Sequence, residues 1–423
     1  MLRRFLIGST KIERDSYLWN MIGTTLMAFQ SVFLLMVLTR TVGLEDAGIF
    51  SIAYANANLM LVIGKYGMHN YQVSDTLPRY SFGDYRCSRW ITVTLMLVAS
   101  LGYSIYAMAA NGDTPEKGMI LFAMCAWKAI DAIEDVYGSL YQQRGRLDVA
   151  GKQMSVRLII SLIFFILLLI LTKSLLISLI ASTVFSLVLF VLLNLLCREV
   201  CIEQIHERYQ KKQVLGLLGG CFTLFLIGFL SFYITNAPKY AIDALLSEEV
   251  QACYGFIAMP VFVIGLLGNY LFNPLIQPMS EHWFRGDRGW VAKKLLWQSV
   301  IIVGLTVVCL GGAYLLGIPV LSMLYGTDLN GYREELLVLL AGGGALALSN
   351  QLMTVITIIR RQKLLIIGYA ICSLLALLSS NYIIGYAGVM GAALLELVLM
   401  VVLCVIFALI FLVELRRANR SDA

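Results

Sequence analysis

An all-α polytopic membrane protein is the fold class this sequence predicts, and three observations predict it. Of 423 residues, 59% are hydrophobic and only 14% are charged, against about 25% charged in soluble globular chains. The mean hydropathy is +0.81. The apolar residues fall in long unbroken runs, which a β-barrel, alternating between lipid and lumen, would not give. Together these exclude a soluble enzyme, a disordered chain and a nucleic-acid-binding domain.

A spanning helix needs roughly 20 mostly apolar residues. Twelve segments meet that length in chain order: 17–39, 47–66, 90–110, 118–141, 155–172, 174–196, 214–236, 250–272, 294–316, 334–359, 364–384 and 388–413. The fifth and sixth are parted only by Thr172, Lys173 and Ser174. One helix there would cross a bilayer twice over, so a tight hairpin is expected. Grouped by loops and ends, 26 of the 32 Lys and Arg lie on one side. Five lie on the other: Arg40, Lys117, Lys173, Lys239 and Arg333. Lys128 is left in the middle of a segment. The positive-inside rule then places both termini in the cytoplasm. The basic N-terminus (Arg3, Arg4, Lys11, Arg14) precedes an apolar run too long for a signal peptide and without an A-x-A site.

The net charge of +6 is read as orientation rather than as affinity for an acidic partner. The nine cysteines are scattered with no CxxC pair, so they read as small buried hydrophobes. His69, His206 and His282 form no ligand motif, and no metal or cofactor is expected. Splitting the chain after the sixth segment gives lobes 1–213 and 214–423, each with six helices. Leu44-Glu45-Asp46-Ala47-Gly48 is echoed by Ser247-Glu248-Glu249-Val250-Gln251 at the eighth segment. An even helix number per half implies parallel repeats, with substrate bound between them.

Ionisable residues inside a membrane are costly and functional by default. The fourth segment carries Lys128, Asp131, Glu134 and Asp135. At 100° per residue all four fit within about 120° of arc, on one face. Lys128 and Asp131 pair at i,i+3; the two other acids have no partner in the segment. That face must meet a water-filled cavity or basic residues elsewhere, and it reads either as a structural ion-pair network or as a cavity wall with a protonation site. After the seventh segment comes Asn236-Ala237-Pro238-Lys239-Tyr240, where Pro238 is expected to end or kink the helix. Lys239 is either an interfacial anchor or a cavity cation that binds phosphate, and Arg40 stands in the same position at the end of the first segment. The stretch Gly64–Asp75 mixes cations, aromatics and amides, as a sugar site or an ordinary interfacial loop would. Breaks are further expected at Pro260 and Asn273-Pro274, and hinges or close packing at Gly342-Gly343-Gly344. No G-x-x-x-x-G-K-[ST], G-x-S-x-G or H-E-x-x-H occurs, so no enzyme constellation is present.

Four passages carry a family resemblance: Thr39–Phe50, Asn236–Tyr240, Leu321–Leu329 with Tyr332, and Gln142 with Gly145-Arg146 and Asp148. In that order on a twelve-helix frame, the chain resembles the polysaccharide (O-antigen-type) flippases of the multidrug/oligosaccharidyl-lipid/polysaccharide (MOP) exporter superfamily. The resemblance implies a MATE-like fold of two six-helix lobes in the bacterial cytoplasmic membrane. It implies flipping of an undecaprenyl-diphosphate-linked oligosaccharide to the outer leaflet, driven by an ion gradient, with polysaccharide assembly proteins and membrane lipids as partners and no nucleic acid. Arg40, Lys128, Asn236 and Lys239 would meet the substrate; Asp131, Glu134 and Asp135 would couple to ions. The rival within the superfamily is a cation-coupled small-molecule antiporter, which the acidic face favours. A membrane polymerase or glycosyltransferase is disfavoured by the short outer loops.

Overall fold

Every regular element is a helix among the residues described, which are 2–75, 79–205, 207–272 and 275–421 of this computed structural model. In order they are α1 (Leu2–Ile7), α2 (Ile12–Thr41), α3 (Leu44–Lys65), α4 (Met68–Ser74), α5 (Phe82–Ala110), α6 (Pro115–Gln143), α7 (Leu147–Thr172), α8 (Leu175–Cys197), α9 (Ile202–Ile205) and α10 (Lys211–Leu245). They continue with α11 (Glu248–Ala258), α12 (Val261–Phe272), α13 (Ile276–Phe284), α14 (Arg288–Gly312), α15 (Ile318–Tyr325), α16 (Arg333–Ile358) and α17 (Leu365–Ser421). The last run turns at Gly388, where φ is +56°, and so contains both of the final expected segments. Nine helices among the described residues are long and apolar enough to cross a membrane. The chain is a multi-pass membrane protein. α6 is not one of the nine, because its charged face lowers its hydropathy. α11 and α12 are each short and meet at a turn over Met259 and Pro260, where Pro cannot continue the helix.

Local signals set the boundaries. α6 begins at Pro115, whose missing N–H costs nothing at a first helical position; the Thr114 hydroxyl accepts from Lys117 N at 3.2 Å. α5 opens with a capping box between Ser81 and Asp84. α3 ends on Tyr66 and Gly67, both left-handed, with φ of +52° and +67°. The expected hairpin is present. α7 ends at Thr172, Lys173 takes a φ of +49°, and Ser174 caps α8.

Pro238, expected to end or kink its helix, does not end it. It lies inside α10, which runs unbroken from Lys211 to Leu245. In hydrocarbon an open turn would strand several backbone groups, so forgoing one hydrogen bond is the smaller cost. The glycine run of α16 is also unbroken helix. Gly342 faces Leu397, Gly343 faces Val261 and Gly344 faces Thr306, so the three pack against three different helices. Asn273-Pro274 falls outside the described residues.

The chain divides into two compact units, Met1–Phe229 and Leu230–Ala423, the division falling within α10. In unit 1, α2 lies along α7 at close range. A Cβ on Gly151 would sit 2.6 Å from the backbone carbon of Trp19, so only glycine allows this approach. The polarity is that of a protein in lipid. Arg89 and Arg157 are among the largest fully buried side chains, while Leu171, Leu315 and Leu378 face outward. α1 straps across the end of α7: Arg146 donates to the Ile7 carbonyl at 2.8 Å, and Lys152 to the Phe5 carbonyl at 3.0 Å.

Candidate functional site

The charged face of α6 organises unit 1. Lys128 and Asp131 pair at 3.2 Å as their spacing requires. Lys128 Nζ also donates to Gln30 Oε1 of α2 at 2.9 Å and stands 4.7 Å from the Tyr54 ring centroid on α3. The two acids without a partner on their own helix find arginines on the helices before and after. Arg157 of α7 donates from Nη2 to Asp131 Oδ1 and to Glu134 Oε2, both at 2.6 Å, and from Nε to Glu134 Oε2 at 3.0 Å. Its Nη1 reaches the Ser186 hydroxyl of α8 at 3.3 Å. Arg89 of α5 donates to Asp135 at 2.7 Å with one arm and to the Gly64 carbonyl at 2.7 Å with the other. Lys65 Nζ and His69 Nδ1 each lie 3.4 Å from Asp135. The Ser139 hydroxyl is 2.7 Å from the same His69 nitrogen.

Arg89 and Arg157 correct the loop assignment. Counted from sequence among loop and end cations, they are only 1% exposed and sit inside α5 and α7. The helices extend past their apolar stretches, so residues at the fringe of a hydropathy run become core. The signal was available: the alternation of expected spans puts each arginine at the same end of the bundle as the acidic end of α6. Lys128 is therefore joined by two further cations buried among these helices. Four cations (Lys65, Arg89, Lys128, Arg157) meet three carboxylates, one formal positive charge in excess. Desolvating such a set is unfavourable unless every group is paired, and the pairing here is nearly complete. The exceptions are Arg89 Nε and Glu134 Oε1, which are buried and have no hydrogen-bond partner.

That carboxylate borders a cavity of about 530 Å³ within unit 1. Asn20 and Thr24 line it from α2, Lys65 from the end of α3, and His69 and Asn70 from α4. Asp131, Glu134, Asp135 and Gln142 form the α6 wall, and Gly151 lies on the α7 wall. Carboxylate, amide, hydroxyl, ammonium and imidazole groups thus converge on one space. Part of the Gly64–Asp75 stretch, singled out for its mix of cations and amides, contributes to it.

The remaining candidates are elsewhere. Arg40 is exposed in the last turn of α2. Asn236 and Lys239 belong to unit 2 and are half-buried on α10. Asn236 Nδ2 donates to the Phe232 carbonyl at 2.9 Å. Lys239 interacts electrostatically with Glu396 of α17, whose Oε2 accepts from the Tyr254 hydroxyl at 2.8 Å. Glu396 is 6% exposed and was not singled out from sequence. A single acid in a strongly apolar segment was its only signal. Among the described residues no group of three or more His, Cys, Asp and Glu is arranged to hold a metal ion.

No protein family and no curated protein matches the sequence. Solved structures do. An inward-facing multidrug resistance MATE family transporter of the MOP superfamily superposes with a TM-score of 0.70 at 10% identity, covering 96% of this chain and 100% of that one. The lipid II flippase MurJ, in an inward closed conformation, also gives 0.70, at 14% identity over 96% of this chain and 88% of its own. A MATE structure in the bent conformation gives 0.58 at 11% identity, covering 99% of this chain and 98% of its own. The fold is the one that these MATE transporters and the flippase MurJ share.

Proposed function

We propose that this chain is a flippase of the MOP type, moving an undecaprenyl-diphosphate-linked oligosaccharide from the cytoplasmic to the outer leaflet by alternating access between lobes 1–213 and 214–423, driven by an ion gradient. The observation that carries this reading over its rival is the charge count on α6. Its three carboxylates face four cations, so the face is not a trap for a cationic drug. It suits an anionic, hydroxyl-rich headgroup. A diphosphate cannot cross hydrocarbon unaided, and a polar route through protein removes that barrier. Lys128, Asn236, Lys239 and Arg40 are assigned to the substrate. Asp131, Glu134 and Asp135 are assigned to ion coupling, with Glu134 foremost because it lines the cavity and one of its oxygens is buried without a hydrogen-bond partner.

The second reading, a cation-coupled small-molecule antiporter, draws on one specific observation. All three carboxylates border the cavity, but of the four cations only Lys65 does. The deciding experiment follows lipid-linked sugars in cells lacking the protein. Undecaprenyl-linked oligosaccharides are extracted, and their leaflet is read with an enzyme that cannot enter the cell. Accumulation on the inner leaflet, reversed by the intact gene, is the expected result. An unchanged pool with normal surface polysaccharide would overturn the flippase reading in favour of the antiporter.

A further inference from the structure

Unit 2 carries a second constellation, remote in sequence from the α6 network. Along one face of α14 stand Lys294, Trp297, Gln298, Ile301 and Ile302, at the i, i+3, i+4, i+7 and i+8 spacing of a helical stripe. The stripe spans about 12 Å of helix rise. It changes character in the order that a bilayer does: ammonium, interfacial indole, amide, then two aliphatic chains. The opposite wall comes from Gly268 and Phe272 of α12, and the groove between them encloses about 90 Å³. Gly268 keeps its floor open, since a Cβ there would meet only the Ala347 Cβ at 3.6 Å. The groove is on the lipid-facing side. Trp297 at its rim is 60% exposed, while Gln298 and Ile302 at its base are buried. Asp287, the nearest acid in sequence, is occupied by His282 at 3.0 Å, and Lys294 has no carboxylate within ion-pair distance among the described residues.

We infer that this groove binds an anionic glycerophospholipid of the leaflet at the basic helix ends, with the phosphate on Lys294, the ester region beside Trp297, and one acyl chain along Ile301. Charge complementarity selects the occupant. Basic pockets between spanning helices on the cytoplasmic side bind anionic headgroups, and a zwitterionic lipid would bring its own cation to Lys294. The polarity gradient selects a lipid over a soluble phosphate, which has nothing to lay along the apolar half. This inference needs only that the chain spans the membrane, and stands whether the cargo is an oligosaccharide or a drug.

The test is native mass spectrometry of the full-length protein in detergent, supplied in turn with phosphatidylglycerol, phosphatidylcholine and undecaprenyl diphosphate. Phosphatidylglycerol should be retained in preference to phosphatidylcholine. Lys294→Glu should lower its retention at least about fivefold, one surface cation being worth nearly that. Lys293→Glu, one residue away and exposed, should leave retention unchanged. Gly268→Leu, which fills the groove, should lower retention with every charge intact; if it fails to elute as folded protein, Gly268→Ala and Lys294→Gln replace it. Equal retention of both phospholipids overturns the inference. So does an equal effect of Lys293→Glu and Lys294→Glu, which would mean diffuse surface charge. Preferential capture of undecaprenyl diphosphate would reassign the groove to a transported lipid and overturn it too.

Discussion

At the scale of single residues, Arg157 holds the network together. It makes three charge-assisted bonds to Asp131 and Glu134 from a fully buried position. Removing one partner of a buried ion pair costs about 3–5 kcal/mol, because the other charge stays buried. Arg157→Gln should therefore lower the melting temperature of the detergent-purified protein strongly. Arg157→Lys should fall between, keeping the charge but losing the planar fork. Glu134 and Asp135 give a different kind of prediction. Glu134→Gln or Asp135→Asn should abolish transport while the protein still reaches the membrane. Full activity in both single variants and in the double variant would reduce these acids to structural roles. Arg40 stands apart from all of this, exposed at its helix end.

At the scale of elements, glycine placement separates close packing from open space. Gly151 lets α7 lie against the backbone of α2, and an added methyl would reach Trp19 and Asn20 atoms at 2.6 and 2.7 Å. Gly151→Ala should cost about 1–3 kcal/mol by overpacking, read as a fall in thermal stability. Gly138→Ala on α6 is the control. Its Cβ would meet the Ala150 Cβ at 3.8 Å, an ordinary contact, and stability should hold. Hydropathy made most helices legible, including the α7–α8 hairpin and the break at Pro260, because lipid demands long apolar runs. At Pro238 it offered an end or a kink, and the end is not taken, since the local rule about proline gives way where no water can satisfy an opened turn. It also missed Arg89 and Arg157. Hydropathy reports where a helix is apolar, and these arginines are buried by neighbours that only the fold brings together. The acidic stripe of α6 was visible, and so was the pair Lys128–Asp131. Glu134's unpartnered oxygen was not, for it depends on how far one guanidinium reaches.

At the scale of the whole molecule, the charge asymmetry makes a topological prediction. With Arg89 and Arg157 moved into the interior, 24 basic residues remain on one side against five on the other. Both termini should then be cytoplasmic. Fusions of green fluorescent protein to either end should fluoresce, and a cysteine at Lys173, in the turn between α7 and α8, should react with an impermeant maleimide in intact cells. A dark fusion or an unreactive cysteine would reverse that orientation. The α6 network also bears on how the chain is made. A ribosome delivers α5 first, then α6, then α7. Arg89 is already waiting when α6 emerges, but Arg157 is not. Asp131 has Lys128 on its own helix and Asp135 has Arg89, but Glu134 pairs with Arg157 alone and would cost roughly 2.5–3.5 kcal/mol near a helix centre if left alone in lipid. α6 thus gains from staying beside the insertion machinery until its successor arrives, so that Glu134 meets lipid already paired.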